Sequence, residues 1–195
     1  FDIVMRLKYF LIVFIALAIP GLLPAPDLPD DDSFRLLEKI RLETINKDRA
    51  ENQQKYGRIK AALAKYESNN NWKMYNRFGC IGKYQFGRSA LDATGYSNRS
   101  WRKFKANPAT FSEQDQEDAM DILLSINESD MKPMIDKYVG IKMLNSITIT
   151  RMGILAAAHL AGPANVKEFL ESYGSVNARD RMGTRVSDYL DRFAM

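Results

Sequence analysis

Y-E-S-N-N-N-W-K-M-Y-N-R-F-G-C-I-G-K-Y-Q, Tyr66 to Gln85, is the stretch on which the reading of this chain turns. Upstream of it Tyr56, Ile59, Leu63 and Tyr66 recur every three or four residues, the spacing of one helix face, and this pattern delivers Glu67 to the end of a helix. The last helical turn presents unpaired carbonyl oxygens and the negative end of the macrodipole, which disfavours an ionised carboxylate. Partial burial against Trp72, Tyr75 or Phe78 would act in the same direction, so both effects raise the pKa of Glu67. An acid that keeps its proton near neutrality can hand it to a leaving oxygen. A glutamate at a helix end is more often a solvated surface residue, so spacing alone assigns Glu67 no role.

Beyond Ser68 the helical period is lost as far as Gly87. Three consecutive asparagines, Asn69 to Asn71, and Gly79, Gly82 and Gly87 suit short loops or a small hairpin. Tyr84 and Phe86 alternate with Gln85 as in a short strand, which turns the Gln85 amide toward a groove where it can both donate and accept. Phe86 reads as core. Cys80 is the only cysteine, which excludes an intrachain disulfide and any paired Cys/His zinc spacing; no metal or other cofactor is expected.

Glu67-Ser68, then Gly82-Lys83-Tyr84-Gln85, then Ala157-Ala158-His159-Leu160-Ala161-Gly162-Pro163 resemble the three ordered motifs of lysozyme-like lytic transglycosylases. I-G-K-Y-Q-F-G, A-A-H-L-A-G and G-T-x-V-S-D-Y-L are similar to a branch found in bacterial and phage peptidoglycan-active proteins. The resemblance spans about Ile59 to Met195. It implies a mostly α, two-lobed lysozyme-like domain with at most a small hairpin, and Glu67 as the single catalytic acid. It further implies a glycan groove lined by Ser68, Gly82, Tyr84, Gln85, His159 and Gly162, and peptidoglycan strands as the partner. The implied reaction is cleavage between N-acetylmuramic acid and N-acetylglucosamine. Hydrolysis in the manner of a muramidase is the alternative and would need a second carboxylate, for which Asp92, Glu113 and Glu117 are candidates. A wall-binding or secretion-scaffold protein that keeps the groove without chemistry is a third. The chain departs from the motif at two places, with His159 where the family has tyrosine and Leu160 where it has asparagine. His159, the only histidine, reads equally as a hydrogen-bonded core residue or as a groove residue.

Outward from this centre, three regions are expected: residues 1–26 as a signal peptide or membrane anchor, 27–55 as an acidic linker and charged helical spacer, and 56–195 as the lysozyme-like domain. Met5-Arg-Leu-Lys precedes an uncharged run from Tyr9 to Leu23, which has no polar face and so reads as an export segment. Ala16-Leu17-Ala18 fits an A-x-A cleavage site, and retention as an anchor is the other outcome. Export implies a periplasmic or envelope location, with membrane attachment through this segment if it is retained. Pro24 to Asp32 is too stiff and acidic to continue a helix, and Ser33 caps the spacer that carries Phe34, Leu37 and Ile40. The spacer names no protein partner.

A net charge of +4 over 195 residues favours an anionic partner without choosing one. Trp101 among Arg99, Arg102, Lys103 and Lys105 invites a nucleic-acid reading, but Glu113 and the acidic residues from Asp115 to Asp118 would repel a phosphate backbone. Nucleic acid is therefore not an expected partner. Helices are predicted at Ser89 to Thr94, at Ser112 to Ile126, from Pro133 to a stop at Gly140, over the apolar Ile147 to Ala161, at Ala164 to Tyr173, and toward Phe193.

Overall fold

The segment from Tyr56 to Ser68 is helical for the reason its spacing suggests, and it belongs to a longer element than expected. The computed structural model describes residues 31–143, 146–180 and 182–194, and the expected export run lies outside them. Among the described residues no helix is long and apolar enough to cross a membrane. Helix α1 runs without a break from Asp31 to Ser68, so the last two residues assigned to the linker, Asp31 and Asp32, are helical. The interior of α1 contains no proline, and its one glycine, Gly57, costs only about 1 kcal/mol in a helix without ending it. The chain divides into two compact units between Lys47 and Asp48. In the first unit α1 exposes Leu36, Leu37, Ile40 and Leu42.

The second unit is all-α. After α1 come α2 (Arg88–Ala93), α3 (Trp101–Ala106), a 3-10 turn (Pro108–Phe111), α4 (Glu113–Tyr138), α5 (Arg151–Ala161), α6 (Pro163–Glu171) and α7 (Val186–Arg192). Among the described residues strand pairing is limited to isolated antiparallel bridges, such as Tyr75 with Ile81 and Ile81 with Phe86. The expected small hairpin is thus reduced to single bridges.

Helix α5 is the centre of the unit, packed on α4, α6 and α7. Gly153 to Ala158 are all buried, which is why this stretch can be apolar on every side. The absence of a side chain at Gly153 lets α7 approach closely: a Cβ there would lie 2.9 Å from the Leu190 carbonyl oxygen. The helix starts later than its apolar run suggests. Thr150 caps it, with Oγ1 accepting from the Gly153 amide at 3.0 Å, and Ile147 to Ile149 precede it in a bridged loop.

Helix α4 corrects a second expectation. Pro133 does not begin a helix but lies inside one of 26 residues that starts with a Ser112–Asp115 capping box. A proline withholds the amide that would bond the carbonyl four residues back, at a cost of about 3 kcal/mol. Met131 and Tyr138, fully buried on either side of Pro133, offset that cost. Gly140, at φ +90, lies just past the helix end as expected.

Two polar clusters fasten α1 to α4. Glu128 accepts from Lys55 and the Tyr56 hydroxyl, both at 2.6 Å, and from Arg151 Nε of α5 at 2.8 Å. Burial alone would raise its pKa, and these three donors outweigh burial and hold it at about 2. The second cluster is deeper. Lys60 lies 2.7 Å from Asp121 and 2.9 Å from Glu117, and Glu117 also accepts from Lys83 at 2.8 Å and from the Tyr84 hydroxyl at 2.9 Å. Burial pushes Glu117 up, but hydrogen bonds from Lys83 and Lys60 prevail and lower it, whereas burial prevails at Asp121 and raises it.

Candidate active site

Glu67 is one helical turn beyond Leu63, which is fully buried, so its side chain leaves α1 on the face turned into the domain. The helix ends immediately afterwards because Asn69 and Asn70 take positive φ, 55° and 65°, and the Asn70 amide reaches back to the Ala64 carbonyl at 3.0 Å. No described residue donates a hydrogen bond to the Glu67 carboxyl, and neither of its oxygens is sealed from solvent. Burial of the carboxyl, with a smaller contribution from the negative charge of Asp180, raises its pKa to about 7. This carboxyl is half-buried, unbonded and able to hold a proton near neutrality.

The three sequence motifs meet here. Ser68 Oγ donates to the Lys83 carbonyl at 2.7 Å, joining the end of α1 to the 82–85 loop. His159 Nε2 is 3.0 Å from the Tyr84 carbonyl, joining the same loop to the end of α5, and its ring packs edge-on to Phe86. Because a carbonyl only accepts, Nε2 carries the proton. Nδ1 is buried without a partner, and burial lowers the pKa of the ring, which leaves His159 neutral. His159 thus ties the loop to α5 through Nε2 with Nδ1 enclosed, while the residue as a whole is half-buried.

Several residues expected to line a groove are engaged in hydrogen bonds or turns within the fold. Ser68 is buried and spends its hydroxyl on the loop. Tyr84 is buried with its hydroxyl on Glu117, and it contributes to the lining of the cavity between α1 and α4. Gly82, at φ +83, is required by a close approach: a Cβ there would fall 2.5 Å from Gln116 Oε1. Gly162, at φ +86, makes the turn from α5 into α6 with open space around it.

Gln85, itself at φ +51, places its amide inside the loop. Its Oε1 accepts from Asn76 Nδ2 at 2.9 Å and its Nε2 donates to the Gly82 carbonyl at 2.8 Å. A sugar would have to share an amide already engaged. Gln85→Ala is accordingly expected to lower stability by about 1–2 kcal/mol, read as a fall of several degrees in Tm. An unchanged Tm with reduced glycan turnover would return the amide to a ligand-facing role.

Of the carboxylates considered as a partner for Glu67, Asp92 pairs with Arg88, Glu113 with Lys83, and Glu117 with Lys60 and Lys83. The carboxylate whose charge acts on Glu67 is Asp180, which the sequence reading passed over. It was hidden in a polar turn far along the chain. Gln116 was missed as well: fully buried, it donates to the Trp72 and Phe111 carbonyls at 3.0 and 2.8 Å and accepts from the Lys83 amide at 2.6 Å. Its position in the acidic run opening α4 gave no sign of burial.

A cavity of about 750 Å³ opens between α1 and α4 and is lined by Lys60, Lys83, Glu117 and Asp121 among others. Glu67 is not part of its lining, and its buried charges are already paired, so it carries no chemistry toward the candidate acid. Among the described residues no group of histidine, cysteine or acidic side chains could hold a metal ion. No protein family model, no curated protein and no solved structure matches the chain.

Proposed function

We propose that this chain is a peptidoglycan lytic transglycosylase in which Glu67 is the general acid and then the general base. The observation that supports the reading is the Glu67 carboxyl itself, half-buried and without a hydrogen-bond partner among the described residues, with burial raising its pKa to about 7, at the end of α1 that Ser68 ties to the 82–85 loop. In the forward step Glu67 gives its proton to the glycosidic oxygen as the bond to the muramyl anomeric carbon breaks. The resulting carboxylate takes the proton of the muramyl 6-hydroxyl, whose oxygen closes on the anomeric carbon. The product is a 1,6-anhydro ring, no water is consumed, and Glu67 ends protonated. A mostly α lysozyme-like fold, export through the N-terminal segment and a location in the cell envelope belong to the same proposal.

Asp180 favours one second reading. Hydrolysis requires a second carboxylate, because water must be activated or a glycosyl intermediate formed, and Asp180 is the one whose charge acts on Glu67. Digestion of purified sacculi followed by mass spectrometry separates the readings. Transglycosylation yields muropeptide ends lighter by one water than the reducing ends of hydrolysis. Anhydro ends are expected; reducing ends would establish the muramidase alternative, and no release at any pH would leave only wall binding.

A further inference from the structure

Between the end of α1 and the start of α4 the chain is one-sided in charge. From Ser68 to Ser112 it carries eight lysines and arginines against a single acid, Asp92. Three of the eight are paired: Lys83 with Glu113 and Glu117, Arg88 with Asp92, and Arg99 with Asp115. The other five, Lys73, Arg77, Arg102, Lys103 and Lys105, are exposed and have no ion-pair partner among the described residues. Aromatic rings share this surface, with Tyr75 40% and Phe78 39% exposed. The Tyr75 ring stands edge-on to Trp101 with centroids 5.9 Å apart, and Lys105 Nζ lies over both rings, 5.7 and 5.0 Å from their centroids. Arg77 lies over the Phe78 ring at 5.0 Å. Hydrogen bonds fix the platform. The Trp101 indole donates to the Asn76 carbonyl at 2.7 Å, and the Asn76 side chain accepts from the Phe78 and Cys80 amides and donates to Gln85. Gln85 belongs to the 82–85 loop that Ser68 ties to the end of α1, so the platform and Glu67 are held through the same loop.

We infer that Tyr75, Phe78 and Trp101, with Arg77 and Lys105, form a docking surface for anionic wall glycan, the rings taking sugar faces and the basic groups taking the carboxylates of the muramyl peptides. The inference rests on the chain being a glycan-cleaving enzyme and gives it a preference for peptide-bearing over naked strands. Scattered exposed aromatics need no explanation, but here each exposed ring has its own unpaired basic group beside it. A cation over an exposed ring is held more weakly than by a charge-assisted hydrogen bond to a carboxylate, so Arg77 and Lys105 can turn to an arriving anion and leave the ring to the sugar. A nucleic acid would meet the same basic groups, yet its phosphate backbone calls for a continuous track. Lys83 and Arg99, which would extend such a track toward α4, are taken by Glu113 and Asp115. An anion that needs only separated cations fits better.

The test is co-sedimentation of the full chain with purified sacculi, native and after carbodiimide amidation of their carboxylates, beside titration of a fluorescent single-stranded DNA. The variants are Arg77→Gln/Lys105→Gln, which removes both charges, and Phe78→Ser, which keeps them and removes a ring. Binding to native sacculi is expected to weaken with salt, and the double variant to raise Kd about fivefold or more at low ionic strength with Tm unchanged. Amidation should weaken the wild type by a similar factor and leave the double variant little changed. Phe78→Ser should weaken binding to both forms of sacculi. Equal binding by the wild type and the double variant, or wild-type binding indifferent to amidation, overturns the inference. DNA held more tightly than sacculi overturns it too and makes the surface a nucleic-acid site. Weakened binding by the double variant of a protein that releases no muropeptide keeps the docking surface and removes the cleaving reading; muropeptide release with binding unchanged in the double variant does the reverse.

Discussion

If Glu67 is the proposed acid, Glu67→Gln is expected to lower muropeptide release by about 10²- to 10⁴-fold and to leave a protein that is folded and more stable than its parent in alkaline solution. The loss follows from removing the transferable proton while retaining the shape of the side chain. The gain follows from linkage. The folded-state pKa of about 7 lies above the 4.5 of an unperturbed glutamate, so between these values the native state binds the proton that the unfolded chain has released. Wild-type stability therefore falls as pH rises from about 4.5 to about 7, and above that range the native state bears a desolvated carboxylate at a cost of about 3 kcal/mol at most. Glutamine carries no such cost. Urea unfolding at pH 5 and pH 8.5 checks the sign: the two proteins should converge at the lower pH and separate in favour of Glu67→Gln at the higher. Equal stability at both would mean that Glu67 is a solvated surface residue.

The second large effect is expected far from the acid. The Lys60 side chain is only 6% exposed and sits between Asp121 and Glu117. Lys60→Met keeps the length of the stem but leaves Asp121, itself 10% exposed, without its cation, whereas Glu117 keeps Lys83. Breaking one side of a buried ion pair costs about 3–5 kcal/mol, a large part of the stability of a domain this size. Chemical denaturation should show that loss at pH 7, and Lys60→Met/Asp121→Asn should recover much of it because the orphaned charge is gone. A cost below about 1 kcal/mol for the single variant would mean that water reaches Asp121 more freely than its burial indicates.

How much of this could be read beforehand depended on whether a residue's environment is local. Glu67 was legible because Tyr56, Ile59 and Leu63 fix the phase of α1, and a residue four beyond Leu63 must leave on the same face. The all-α character and the late apolar helix α5 were legible for the same reason. Pro133 misled because its penalty is local and visible, while the burial of Met131 and Tyr138 that offsets it is tertiary. Gln85 and His159 show the converse, local chemistry that does not reveal tertiary partners. Their chemistry suggests a ligand, yet the Gln85 amide and His159 Nε2 bond the 76–85 loop, a choice set by the close approach of three segments. Asp180 was illegible altogether, since nothing in its own turn reveals that Tyr189 ties that turn to Tyr66 at the end of α1.

The pH dependence of sacculus turnover tests most directly whether Glu67 acts as a protonated acid. The rate per folded molecule should decline on the alkaline side with a midpoint near 7, because only the protonated form can start cleavage. A decline centred there, with no residual limb in Glu67→Gln, is the predicted result; turnover that is flat from pH 5 to 9, or that rises as Glu67 ionises, would contradict it.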